Sequence, residues 1–397
     1  MSLFMRQKAS LMESRECDLV KITHAMDTWI NQENMFGTQL DKYRIMKRSL
    51  IYLSALFLVF ASSCDIVDNI TGGGDNNDDV VVKLYPVLVD GEWGYINNQG
   101  AMVIEPTLQN AYPFSDGLAV VRESWGWKYM DKNGDFIIEG DFQDIQPFYD
   151  GKAAVRVNGR WGYINKKGNF IINPRFRESN PFSDGRAFVR SLDYSEYLYI
   201  NEDGDKIESV NMPEDLDNID ENEFSNGRAL VRDDELFGYI DRSGSTVVDL
   251  KYSEALPFSD NLAAVRVSDR WGFIDAGGSV VISPQYISAG RFGNGLAPAR
   301  RNSNQFGFID RSGNFAITEQ FEEVRPFTEE RAPILENGKW TFIDLSGNKI
   351  TEAKFDEVDA FYNGLARVVI YVTVDEEVTE QYGYINKSGD YVWFPTN

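Results

Sequence analysis

One pattern recurs nine times between Val87 and the C-terminus: an aromatic, usually Gly, a second aromatic, an aliphatic, Asn or Asp, two variable residues and Gly. The copies begin at Trp93, Trp127, Trp161, Tyr197, Phe237, Trp271, Phe306, Trp340 and Tyr382, at intervals of 34, 34, 36, 40, 34, 35, 34 and 42 residues. A repeat of this length is too short to bury its own aromatics, so each unit must lean on its neighbours.

A second anchor follows the first by 21 residues in seven of eight cases and by 27 in the other: Phe114, Phe148, Phe182, Phe224, Phe258, Phe292, Phe327 and Phe361. Five residues after each of these comes an Ala, from Ala119 to Ala366, which suggests a site where two backbones approach and nothing larger fits. Within a unit, Trp161 to Asn165 is aromatic and β-branched, Asn165 to Gly168 is a turn, and Asn169 to Asn173 returns as a strand. Pro106, Pro174 and Pro284 are expected to stop that returning strand, because proline lacks the N–H a ladder needs. A loop through Phe-Ser-Asp-Gly then leads to a further strand such as Ala187 to Arg190.

The reading is all-β, with tandem three-stranded repeats over residues 83–397. Counted from Pro86 the nine units are whole, and a ring closed by strand exchange would need a split one. The expected architecture is therefore an open β-solenoid or superhelix, with a propeller-like closed ring as the alternative.

The Trp-Gly pairs at Trp93, Trp161 and Trp271 make the chain resemble the bacterial WG repeat family, also called KWG repeats. Tyr197, Phe237, Phe306 and Tyr382 replace the Trp, while Trp127 and Trp340 lack the Gly. The resemblance implies an all-β repeat in envelope or secreted proteins and no catalytic residues.

The N-terminal region speaks to address. Met46-Lys47-Arg48, the apolar run Ser49 to Ala61, and Ser62-Ser63-Cys64 have the parts of a secretory signal. As a helix, Ser49 to Ser63 would span only about 22 Å, short of the roughly 30 Å hydrocarbon core. Ser-Ser-Cys resembles a lipobox, with Ala61 where Leu is usual, and makes Cys64 the expected lipid anchor. Residues 46–63 then form the signal peptide and 64–82 a flexible acidic tether, while 1–45 read as a start-site overcall or a polar extension. The expected location is the bacterial cell envelope, at the outer membrane or cell surface.

Composition narrows the chemistry. The single His is His24 and the other Cys is Cys17, both upstream of the signal. No His base, zinc cluster or disulfide is then available, so no enzyme activity, cofactor or metal is expected. Residues 1 to 63 carry 8 basic and 6 acidic side chains, leaving 31 against 56 and a net charge of −25 from Cys64 onward. Such a surface repels phosphate backbones, so nucleic acid is not an expected partner.

The repeated rings, Trp93, Tyr95, Trp127, Trp161, Tyr163, Tyr239, Trp271, Phe308, Trp340 and Tyr384, are expected in the stacked core. Trp125 and Trp393 fall outside the register and are candidate contact rings. Arg122, Arg156, Arg190, Arg232, Arg266 and Arg300 recur at one place and are expected to pair with carboxylates or lie on aromatic faces. Asp131 to Asp135 and Asn201 to Asp205 resemble pieces of calcium loops, but turn formation explains them. Two long units carry an acidic insert, Glu214 to Glu223, and an arm, Val369 to Gln381, which are candidate binding loops. The function expected is presentation of an extended surface to an envelope protein, or alternatively to a glycan.

Overall fold

Each repeat folds into one antiparallel sheet, and its turns show why. Asn165 Oδ1 accepts the N–H groups of Lys167 and Asn169 at 3.0 and 3.1 Å, while Gly168 takes a φ of +79°. That Asx turn tightens the hairpin, and only a residue without a Cβ adopts the left-handed position freely. In the computed structural model residues 83–396 are described apart from 125, 194–195, 211–223, 234–235, 303 and 375–376, all within one unit, Leu58–Asn397.

Nine sheets follow one another along the chain. Blade 3 is representative: a short strand Asp144–Ile145, a first strand Lys152–Val157, a second Arg160–Asn165 and a third Phe170–Phe176, hydrogen-bonded in that order. The short strand is a fourth element beyond the three expected. It is absent among the described residues in blade 1 (Leu84–Leu108) and blade 5 (Arg228–Tyr252), and blade 8 (Glu323–Asp344) lacks the third strand.

The Gly of the Trp-Gly pair has a local cause. A Cβ on Gly162 would stand 2.6 Å from both the Ile172 carbonyl oxygen and the Pro174 nitrogen. Pairing jumps there from Trp161↔Phe176 to Tyr163↔Ile172, so the third strand carries two extra residues opposite the glycine. The same shift occurs opposite Gly94, Gly238, Gly272 and Gly307, and a one-residue shift opposite Gly383. Where Lys128 or Leu198 replaces the glycine, pairing at that point is regular, and beside Thr341 only isolated bridges remain. Pro106, Pro174 and Pro284 lie inside these bulges, so the strands run through them to Leu108, Phe176 and Tyr286 rather than stopping. A proline in a bulge owes the ladder no N–H.

Between blades the core repeats as well. The second aromatic of one blade meets the Phe anchor of the next edge to face, as in Tyr129–Phe148 at 4.7 Å, Tyr163–Phe182 at 4.8 Å and Tyr239–Phe258 at 4.8 Å. Such a pair contributes about 0.5–1.5 kcal/mol beyond the area it buries. The recurring Ala faces it: Ala153 packs with Tyr129 and Phe148, Ala187 with Tyr163 and Phe182. The Ala position is small to admit two rings, not two backbones. The phenols stay satisfied, Tyr95, Tyr129, Tyr163 and Tyr239 each donating to a carbonyl of the next blade at 2.7 to 2.8 Å.

The nine blades close into a ring, which corrects the expected open solenoid in favour of its alternative, a nine-bladed β-propeller. No blade is split between the two chain ends: blade 1 begins at Leu84, and blade 9 is built from Glu357–Val358, Leu365–Val374, Glu377–Asn386 and Tyr391–Thr396. Side chains make the junction instead. Blade 1 contributes Tyr85 where other blades place Ala, and its ring lies 5.6 Å from that of Tyr384. Tyr384 donates to the Pro86 carbonyl at 2.9 Å, and Trp93 stacks on Tyr382 at 6.0 Å. Gly100 abuts the Val392 carbonyl of blade 9, much as Gly168 abuts Ile138 of the blade before it. One tyrosine thus occupies the room that Phe and Ala share elsewhere.

Three outcomes follow from this packing. Gly162→Ala should cost about 1–3 kcal/mol in denaturant unfolding, because backbone must shift, whereas Gly126→Ala, with open space around its Cα, should be neutral. Tyr85→Ala should cost about 3–5 kcal/mol in the same assay and Tyr85→Phe only about 1. Burial pushes the phenols of Tyr95, Tyr129, Tyr163, Tyr239 and Tyr384 upward. An unfolded phenol ionises near pH 10, so this contribution is complete below about pH 10 and is lost as pH rises toward the folded-state values. In an alkaline titration, phenolate absorbance from these rings should emerge together with loss of the fold; smooth ionisation near pH 10 in an intact ring would contradict the packing.

Candidate interaction surface

The ring has two unlike ends. At one, Ser-Asp-Gly turns of successive blades interlock: Asp116 Oδ2 accepts the Gly151 N–H at 2.7 Å, Asp150 that of Gly185 at 2.9 Å, and Asp184 that of Gly227 at 2.7 Å. Asp260 and Asn294 continue the series to Gly295 and Glu330. Asp116, Asp150 and Asp184 hold φ near +50°, a conformation that Asp and Asn tolerate better than most residues. Cations of the next blade reach these turns, Arg242 to Asp184 at 2.6 Å and Lys387 to Glu329 at 3.2 Å. The carboxylates at this end serve the junctions.

The opposite end carries the hairpins that join first and second strands, and here the recurrent arginines lie. Arg122, Arg156, Arg190, Arg232 and Arg266 stand directly across the sheet from Trp127, Trp161, Tyr197, Phe237 and Trp271. Guanidinium carbons lie 5.5 Å from the Trp127 ring, 4.8 Å from Tyr197, 5.4 Å from Phe237 and 5.0 Å, through Arg300, from Phe306. Nε of Arg122 and Arg300 is buried without a hydrogen bond, as stacking on a ring face produces. Arg190 pairs with Glu178 at 3.3 Å and Arg266 with Glu254. Burial raises the Asp144 carboxyl pKa, opposed by the Ile145 N–H and the charge of Arg156 across the strand.

Blades 8, 9 and 1 break this row with Leu335, Val369 and Leu88. Arg325 covers Trp340 at 4.4 Å, and Arg367 covers Tyr382 at 5.7 Å while pairing with Asp359 at 2.8 Å. The strands of blade 9, Leu365–Val374 and Glu377–Asn386, are ten residues each against six in blade 3, and extend four register pairs beyond the blade. This arm projects at the arginine end. Val210, the last strand residue before the acidic insert, pairs with Tyr197 and so lies at that end too; residues 211–223 fall outside the described residues.

The remaining sequence candidates are placed as follows. Tyr95, Tyr163, Tyr239, Trp271, Phe308, Trp340 and Tyr384 are buried, while Trp93, Trp127 and Trp161 are half-buried against the inter-blade clusters. Trp393 is half-buried beside Tyr85 and Tyr384, in the closure rather than on a free surface. Trp125 and Cys64 lie outside the described residues. Asp131 Oδ1 accepts the N–H groups of Asn133 and Asp135 at 2.9 and 3.0 Å, an Asx turn. Among the described residues no group of three or more His, Cys, Asp or Glu is placed to hold a metal ion, and no helix is long and apolar enough to cross a membrane. The closure tyrosines Tyr85 and Tyr362, and exposed Phe394, escaped sequence reasoning; the signal for Tyr85 was the one unit without Ala at its position.

A eukaryotic initiation factor is similar in fold, with a TM-score of 0.53 at 10% identity over 79% of this chain and 96% of the factor. Hsv2 of Kluyveromyces lactis aligns with a TM-score of 0.37 at 8% identity, covering 62% of this chain and 98% of its own. No curated protein matches in sequence. Seven segments, 93–124, 127–161, 161–193, 237–271, 271–304, 306–340 and 340–370, match the family model described as a WG containing repeat. Those segments span more than half of the chain, each running from the second strand of one blade into the first strand of the next, so the protein belongs to the WG repeat family.

Proposed function

We propose that this propeller is a non-catalytic, lipid-anchored protein of the bacterial cell envelope that presents its arginine end, with the blade 9 arm, to a protein partner. The arm carries the reading. A ring needs only hairpins of blade length, yet here a ribbon extends past the sheet with Val378 68% exposed. Insertions that leave a repeat framework intact are where such scaffolds place their contacts. The aromatic faces at that end are already covered by arginine, which favours a protein surface over sugar stacking as the recognition chemistry.

The envelope address rests on the signal ending at Cys64 and on the acidic, Gly-rich tether after it. The absence of catalysis is supported by an inventory in which His24 is the sole histidine. A glycan-binding reading has one observation in its favour, the Phe394 ring, 71% exposed and stacked on Tyr391 at 5.2 Å.

Replacing Ile370–Gln381 by a two-residue Asn-Gly turn should leave the ring folded and remove the partner from crosslinked pull-downs of intact cells. Unchanged capture would count against the arm. Metabolic labelling with a palmitate analogue should mark the native chain and not Cys64→Ala; equal labelling would refute the anchor. Retention on an oligosaccharide array that disappears with Phe394→Ala would favour the glycan reading instead.

A further inference from the structure

We infer that the outer edge of Glu377–Glu380 receives an extended basic segment of the partner as an added β-strand. This rests on the proposed role of the arm and specifies how it binds.

The two edges of the arm differ. Along the first strand, the Tyr371 N–H donates to Asp356 Oδ2 at 2.9 Å and its hydroxyl to Glu357. Side chains therefore occupy that edge, one of the ways proteins guard a strand against pairing. Along the second strand, the third strand of blade 9 reaches only the pair Tyr382↔Thr396. No described strand pairs with Glu377–Glu380 on that side. A two-stranded ribbon is marginal by itself in water, so a third strand at its open edge supplies what the ribbon lacks.

Charge selects the occupant. Glu377 and Glu380 are exposed on this edge, Glu380 sharing its charge with Arg367 at 3.9 Å, and the chain from Cys64 onward has a net charge of −25. Alternation puts Val378 and Glu380 on one face and Glu377, Thr379 and Gln381 on the other. A complementary strand carries an apolar residue and a Lys or Arg two positions apart on the face of Val378, with a second cation near Glu377. A second copy of this edge would bring Glu377 and Glu380 against their own kind, which disfavours self-pairing.

The test uses the full chain and three synthetic peptides: an alternating Val-Thr-Lys sequence, its Glu-for-Lys counterpart, and the Lys sequence N-methylated at alternate residues. The Lys peptide should bind and slow amide exchange within Glu377–Glu380. N-methylation, the Glu peptide, or the paired change Glu377→Lys with Glu380→Lys should each weaken binding at least about tenfold. The paired variant should regain the Glu peptide, which also shows that it is folded. Failure of the Lys peptide to bind, equal binding of the methylated peptide, or protection confined to other segments would overturn the strand mode. Loss of the cellular partner on removing the arm, with any of those results, would leave the arm's role standing and remove only this mechanism.

Discussion

Everything in this molecule depends on one contact made between blades rather than within them. A Tyr or Phe on the second strand of blades 1 to 8 meets a Phe delivered by the next blade, and a buried Ala makes room for both. Partners within the same sheet are fewer, as in Tyr163–Phe176, Tyr199–Phe188 and Phe308–Phe321, so an isolated blade would expose most of this surface to water at a cost of about 1.5–3 kcal/mol per ring. Tandem units joined this way are stable only in company, and the two end units face the same problem. Closing the ring solves it without capping structures.

How the ring closes explains where sequence reasoning stopped short. The period, the hairpin turns, the buried rings and the arginines lying on aromatics were all legible, because each repeats in fixed register. Closure depends on what happens once. Propellers are expected to close by lending a strand, and the whole-unit count argued against that; here the side chains of Tyr85 and Tyr384, the latter donating to the Pro86 carbonyl, do what a borrowed strand would do with backbone. A Tyr in the slot where eight units carry Ala was the visible trace, meaningful only once the slot is known to face a Tyr–Phe pair. The prolines misled for a similar reason. Pro174 reads as a strand stop until Gly162 is seen to face a bulge that needs no proline N–H.

The same distinction orders the functional argument. Residues that recur in register are committed to holding blades together: carboxylates at the turn end cap neighbouring N–H groups, and arginines at the other end cover rings. Recurrence is therefore a poor guide to binding in this protein. Departures from it concentrate on blade 9, which lies in the gap of the arginine row and where the strands lengthen and exposed aliphatic and acidic groups share a ribbon.

The central claim is that blade 9 adjoins blade 1. Spin labels at the equivalent turn positions Gln99 and Ser388, in a chain whose Cys17 and Cys64 are replaced, measure it by pulsed electron resonance. The separation should match that between labels at Gln99 and Asn133, which occupy turns of adjacent blades. A distance several blades longer would mean an open array and would undo the account.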